Sequence, residues 1–382
     1  MAKTYAQINE QIKKGKAVVV TAEEMIDLVR EKGVKKAAKD VDVVTTATFG
    51  PMCSSGAFLN FGHSDPPIKM QKVWLNDVAA HAGLAAVDVY IGATELSETQ
   101  GMNYGGAHVI EDLVSGKKVR LYATSPGTDC YPAKEKETSV SLKSINQAVL
   151  FNPRNAYQNY AVATNSSKKT LHTYMGILLP EFGNATFSNA GELSPLINDP
   201  EYRTIGIGTR IFLGGAVGYV SWEGTQHNPT QKRDKKTKIP IAPAGTLSVI
   251  GNLKHMSREF LRAAIFEKYG ISMFVGIGVP IPILDEEMAL RTSIANKDIF
   301  TTIIDYSVPR RKKPNFGTVS YAELRSGRIQ IKGKNVPTSS ISSLYKARQI
   351  AGVLKKWIKG GKFLLQEPVE RLSLEQKFKA LD

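Results

Sequence analysis

Cysteine is scarce in this chain: two in 382 residues, too few for a disulfide framework. No apolar run is long enough to cross a bilayer. The opening "MAKTYAQINEQ" carries no leader pattern, so the expected location is the cytoplasm, where thiols stay reduced. HExxH, a clustered Cys/His set and a Walker sequence are all absent, so no zinc site or phosphate-cradling loop is expected. "GIGTRIFLGG" and "VGIGVPIP" do not open a helix with G-x-G-x-x-G spacing. Their glycines read as tight packing or as backbone close to a small ligand, and no nicotinamide site is expected.

What is present is an ordinary globular composition, 42% hydrophobic and 22% charged. Its length suggests two domains or one elaborate one. The formal charge of +15 is concentrated in "QKRDKKTK" (231–238), "RRKKP" (310–314) and the carboxyl-terminal segment. No zinc-finger spacing, RNA-binding aromatic motif or basic zipper accompanies it, so nucleic acid is not the expected partner. Solvated surface, or attraction of an acidic substrate or protein, accounts for the excess equally well.

The pattern of elements predicts an α/β fold of mixed or α+β type, with two lobes of sheet and helix. The expected division is an N-terminal lobe over 1–228 holding both cysteines, a charged linker or loop over 229–243, and a C-terminal lobe over 244–382. "YAQINEQIKKG" predicts a helix closed by Gly15, and Thr21 with Glu24 forms a capping-box pattern for the next. "VDVVTTATF", "KKVRLYATS", "GTLSVIG" and "SMFVGIG" predict strands, and a helix is expected near 257–269. In "SSISSLYKARQIAGVLKKWIKGG", Leu344, Ala347, Ala351, Leu354 and Ile358 share a helical face, and Gly360 is a natural stop.

The cysteines share a layout: a strand, Ala-Thr, a Gly/Pro turn, then the thiol, in "ATFGPMC" and "ATSPGTDC". A residue just past a strand's carboxyl end is where α/β proteins commonly place their chemistry. A spare cysteine more often fills a core, so two in Gly/Pro-flanked loops are candidate nucleophiles. Thiolate reactivity needs positive charge or a helix N-terminus nearby. Cys53 could open a helix, whereas Cys130 has Lys134 and Lys136 close by but Asp129 beside it. On these grounds alone Cys53 is slightly favoured. His63 in "GHSDP" and His108 in "GGAH" are loop-like acid/base candidates. Arg154, Arg203 and Arg210 could each hold a carboxylate. For each of these residues a hydrogen bond or salt bridge that merely fixes a loop is the competing reading.

Taken together, "VDVVTTATFGPMCSSGAFLNFGHSDPPIKM", "WLNDVAAHAGLAAVDVYIGATE", "GTDCYP", "NPRNAYQNYAVATNSS", "INDPEYRTIGIGTRIFLGG" and "EGTQH" strongly resemble the homocysteine-biosynthesis family of methanogens and other anaerobes. Its members act as L-aspartate semialdehyde sulfurtransferases. The resemblance implies methionine-pathway amino-acid biosynthesis, with sulfur placed on C4 of the semialdehyde and reduction to homocysteine. It also implies a cysteine persulfide, with Cys130 as carrier and Cys53 as relay or assisting thiol.

With sulfide as donor this conversion releases water and needs two electrons. Two cysteines cannot alone ligate a four-iron cluster, so no intrinsic cofactor or metal is expected. The electrons are expected from a ferredoxin-like iron–sulfur partner, typically acidic and suited to a basic surface. The sulfur donor is sulfide or a persulfide, and homo-oligomerisation is left open. Some relatives carry paired CBS modules. This sequence stops at "RLSLEQKFKALD", so regulation through such modules is not expected. The competing reading is another cytosolic thiol enzyme acting on aldehydes or acyl groups, which would turn over without a sulfur donor.

Overall fold

Two capping boxes organise the amino terminus. Thr4 and Gln7 start the helix Tyr5–Lys13, and Thr21 and Glu24 start Ala22–Lys32. Gly33, at φ 78, ends the second helix and turns the chain into Val34–Asp40. From there the β-branched run forms strand Val43–Pro51, buried through Gly50 because the sheet is covered on this side. The computed structural model describes residues 2–377, 379 and 381.

Val43–Pro51 pairs antiparallel with the 13-residue strand Gly270–Pro282, in register from Val43 opposite Pro282 to Pro51 opposite Phe274. The ten-stranded sheet continues through Arg210–Leu213, Ala216–Glu223, Leu247–Asn252, Gln147–Asn155, Gly56–Asn60 and Asp88–Gly92. Within it, only Val19–Thr21 against Val43–Pro51 pairs in parallel. The class is mixed α and β, as expected, with antiparallel pairing predominant.

The helix Leu344–Lys359 lies on this sheet and buries Ala347, Ile350, Ala351, Leu354 and Ile358; Ile350 joins the expected stripe, and Leu344 is only half-buried at its start. Its close approach explains two glycines of "VGIGVP". A Cβ on Gly276 would lie 2.8 Å from the Ile350 Cδ1, and one on Gly278 3.0 Å from its Cγ2. These glycines serve helix–sheet packing.

A six-stranded sheet carries Glu135–Val140, Val119–Thr124, Lys72–Leu75, Val78–Ala80, Leu96–Ser97 and Gly101–Gly105. Another is built from Asn315–Ser320, Phe300–Asp305, Val162–Thr164, Ala185–Phe187, Lys334–Ser340 and Arg328–Ile331 over its own apolar cluster. The helix expected near 257–269 is instead the strand Leu261–Phe266, paired residue for residue with Gly270–Val275. Cross-strand pairing there outweighs the local helical pattern.

The two expected lobes share the ten-stranded sheet, since Val43–Pro51 and Gly270–Pro282 come from either side of 229–243. The charged segment itself is a folded turn. Arg233 donates to the carbonyl oxygens of Pro200 (2.6 Å) and Lys238 (2.9 Å), so part of the basic excess is structural. Among the described residues, no helix is long and apolar enough to cross a membrane.

Candidate active site

Strand Val43–Pro51 ends in a tight turn that presents Cys53. Met52 N–H donates to the Met273 carbonyl (2.7 Å), and Ser55 closes the turn on the Met52 carbonyl through both its N–H (3.1 Å) and its hydroxyl (2.8 Å). Gly56 follows because a Cβ there would collide with the Tyr90 hydroxyl and the Ile91 carbonyl. Cys53 therefore sits in a turn between two strands and does not open a helix. Its thiol donates to the Ser272 hydroxyl at 3.2 Å and is also hydrogen-bonded to the Tyr269 hydroxyl.

Cys53 lines a cavity of about 360 Å³ whose wall includes Arg154, Tyr157, Tyr174, Asn189 and Tyr269. A second, more open chamber of about 380 Å³ is bounded by Thr94, Leu96, Gly270 and Ile271. Cys53, Ser54, Arg154 and Tyr269 line both chambers, so the thiol stands at their junction.

Arg154 reaches this wall through a bulge. The register of strand Gln147–Asn155 against Leu247–Asn252 shifts between Asn152 and Asn155, and the Asn152 side chain accepts from the Arg154 N–H (2.8 Å). Ser54 braces the same turn, donating to Asn152 Oδ1 (3.1 Å) and the Arg154 carbonyl (3.2 Å). The Arg154 side chain is hydrogen-bonded to Tyr157. A guanidinium is always charged and forks to match a carboxylate, so Arg154 has the chemistry to bind one beside the thiol.

The rest of the wall is phenolic. Tyr160 donates to Tyr174 (3.2 Å), and the Tyr174 and Tyr306 hydroxyls are 2.9 Å apart. Burial pushes Tyr157, Tyr160 and Tyr306 above the usual phenol range, so all three are neutral donors at physiological pH. The sequence reading did not single out these tyrosines. Tyr157 and Tyr160 lie in the quoted "NPRNAYQNY", but nothing local marks Tyr174, Tyr269 or Tyr306.

The other expected residues lie elsewhere. Arg203 forks onto Asp285 (2.6 and 3.1 Å) and reaches Glu287 (3.3 Å). The Arg210 guanidinium sits 4.6 Å from the Phe363 ring centre. Both line neither chamber. His108, on helix Gly106–Val114, stacks on Tyr104 at 5.2 Å, and burial holds its imidazole below the usual range. His63 stacks on Tyr131 at 5.8 Å, next to Cys130.

Cys130 is exposed, in the loop joining strands Val119–Thr124 and Glu135–Val140. The loop is fixed by Ser125 N–H to the Lys134 carbonyl (2.7 Å), Thr128 paired with Tyr131 (2.9 and 3.1 Å), and Ala133 N–H to the Pro67 carbonyl (3.2 Å). Strand directions set its position relative to Cys53. Gly56–Asn60 leads away from Cys53, and antiparallel steps run to Asp88–Gly92, through the Tyr90–His81 bridge to Val78–Ala80, then to Lys72–Leu75 and Val119–Thr124. Four reversals leave Val119–Thr124 also leading away from Cys53. Tyr131, beside Cys130, stacks on His63 beyond the far end of Gly56–Asn60, whereas Cys53 precedes its near end, and Cys130 lines neither chamber. Each follows a strand, as expected, but the chain does not bring them together.

Comparison with known proteins bears on this site. Residues 17–365 match the family model described as homocysteine biosynthesis enzyme, sulfur-incorporation. A protein of Methanosarcina acetivorans named L-aspartate semialdehyde sulfurtransferase is 57% identical over 379 residues, covering 99% of this chain and 74% of that one. One of the same name from Methanocaldococcus jannaschii is 55% identical, covering 97% of this chain and 73% of that one. An uncharacterized protein of Methanothermobacter thermautotrophicus is 30% identical over 85% of this chain and 72% of its own length. No solved structure matches.

Proposed function

Because the chain belongs to the homocysteine biosynthesis, sulfur-incorporation family, we propose that it acts as an L-aspartate semialdehyde sulfurtransferase at the Cys53 cavity. The observation that carries this reading is a thiol and a carboxylate-binding guanidinium, Cys53 and Arg154, on one wall of a cavity sized for a small molecule. Arg154 holds the α-carboxylate of the semialdehyde and sets C4 toward Cys53.

Sulfur reaches the site in two stages. Exposed Cys130 is accessible to a persulfide donor: its thiolate attacks the donor's outer sulfur, the donor leaves as a thiolate, and Cys130 carries the sulfur as a persulfide, with His63 as the adjacent acid/base group. Cys53 thiolate then attacks the outer sulfur. The Cys130 S–S bond breaks, a Cys53 persulfide forms and the Cys130 thiolate is released. Since one chain keeps these residues apart, this handover runs between chains, which makes the working form a homo-oligomer or a transient pair.

The terminal sulfur of the Cys53 persulfide adds to C4 and gives an α-hydroxy disulfide; two electrons and two protons break its S–S bond, returning the Cys53 thiol and releasing a hemithioacetal. Loss of water and a further two electrons and two protons convert that to the thiol. Starting from sulfane sulfur, the balance is aldehyde, one sulfur, four electrons and four protons giving thiol and one water. An acidic iron–sulfur protein supplies the electrons. The hairpin carrying Arg310 to Lys313 begins at Tyr306, whose hydroxyl joins the cavity network through Tyr174. This places positive charge beside the site, where an acidic donor would dock.

The test is anaerobic incubation with aspartate semialdehyde, a persulfide donor and a low-potential reductant. Homocysteine forms only when all three are present. Turnover of the aldehyde without a sulfur donor would overturn the reading in favour of another thiol enzyme.

A further inference from the structure

Adding sulfur to an aldehyde places negative charge on the carbonyl oxygen, and a proton donor must stand within reach of both thiol and carbonyl. No histidine lines either chamber. Of the four residues common to both, Cys53 is the sulfur-bearing group, Arg154 cannot release a proton, and the Ser54 hydroxyl already donates to Asn152 and Arg154. Tyr269 remains. It occupies the turn between strands Leu261–Phe266 and Gly270–Pro282, where its N–H donates to the Phe266 carbonyl at 3.0 Å. Its ring is flanked by Phe266, with centroids 6.3 Å apart, and Tyr174 at 6.0 Å. Ser272, two residues on, accepts from the Cys53 thiol. The hairpin end thus grips the thiol with two hydroxyls.

We infer that Tyr269 is a catalytic acid, protonating the C4 oxygen of the semialdehyde as the Cys53-borne sulfur adds to C4. The inference rests on the sulfurtransferase reading above. In this step the S–C4 bond forms, the carbonyl π bond breaks toward oxygen, and the phenolic proton moves to that oxygen. The resulting tyrosinate is reprotonated from water, to which Tyr269 is 41% exposed. No electrons change hands. Burial first, and the neighbouring Cys53 next, push this phenol up to about 12, so the proton is in place throughout the physiological range and is released only to a strongly basic oxygen.

Tyr269→Phe removes the hydroxyl and keeps the ring contacts. With purified full-length protein, kcat for homocysteine should fall by about 10²- to 10⁴-fold, the usual range for a lost general acid. The KM for semialdehyde and the persulfide mass adduct on Cys53 should persist. Tyr269→His should recover part of kcat. A Phe variant with wild-type kcat overturns the inference, as does loss of the Cys53 adduct in step with kcat, which would mean that the hydroxyl acts on thiol loading. If wild type makes no homocysteine, the sulfurtransferase reading fails first and takes this step with it.

Discussion

Cys53 and Cys130 are four strand-to-strand steps apart, one lining a cavity and the other on an exposed, hydrogen-bonded hairpin loop whose Tyr131 stacks on His63 at the far end of Gly56–Asn60. A disulfide requires Cα atoms about 4.4–6.8 Å apart. Mild oxidation of dilute protein should therefore yield no intrachain Cys53–Cys130 link. Peptide mapping after diamide treatment checks this, and an intrachain cross-linked peptide would refute the arrangement.

The three candidate arginines separate by location. Arg154→Ala should raise the KM for semialdehyde by about 10- to 100-fold, in line with the roughly 1.5–3 kcal/mol of a charged hydrogen bond. Arg154→Lys should recover part of that loss.

Arg203→Ala should leave kcat/KM unchanged and act on stability. Hydrogen bonding to Arg203 holds the Asp285 carboxyl below its usual range. A depressed carboxylate contributes stability in full above its unfolded value near 3.9 and loses it as pH falls through the lower folded value. The Tm deficit of Arg203→Ala should accordingly be present at pH 7 and shrink as pH drops below about 4. Thermal melts across that range read it directly.

The basic hairpin predicts a kinetic signature. Arg310→Glu with Lys312→Glu should slow turnover driven by an acidic iron–sulfur donor and flatten its salt dependence. Turnover driven by a small chemical reductant should stay unchanged.

Gly276→Ala places a methyl against the Ile350 Cδ1, with Phe260 Cβ at 3.2 Å and the Phe260 carbonyl at 3.3 Å behind it. Overpacking of this kind costs about 1–3 kcal/mol, so the midpoint of urea unfolding should fall with no change in KM.

Local signals carried much of this architecture. Capping residues at Thr4 and Thr21, the apolar stripe on Leu344–Lys359 and the β-branched run Val43–Pro51 each specify their element over a few positions. Segment 257–269 did not read correctly, because its strand is fixed by partners across a hairpin. The site divides the same way. Cys53 and Arg154 were legible from residue type and loop setting. Tyr174, Tyr269 and Tyr306 were not, since they meet only when three separated segments fold together, and no periodicity marks them. The positions of Arg203 and His108 depend on Asp285 and Tyr104, partners that a single sequence does not assign to them.

The central claim is that sulfur passes from Cys130 of one chain to Cys53 of another. The most direct measurement is anaerobic homocysteine formation by Cys53→Ser, by Cys130→Ser, and by an equimolar mixture of the two. The account predicts that each variant alone is inactive with a persulfide donor and that the mixture regains activity, because one chain supplies the carrier and the other the cavity. A mixture as inactive as its components, or a Cys130→Ser protein with the wild-type rate, would contradict it.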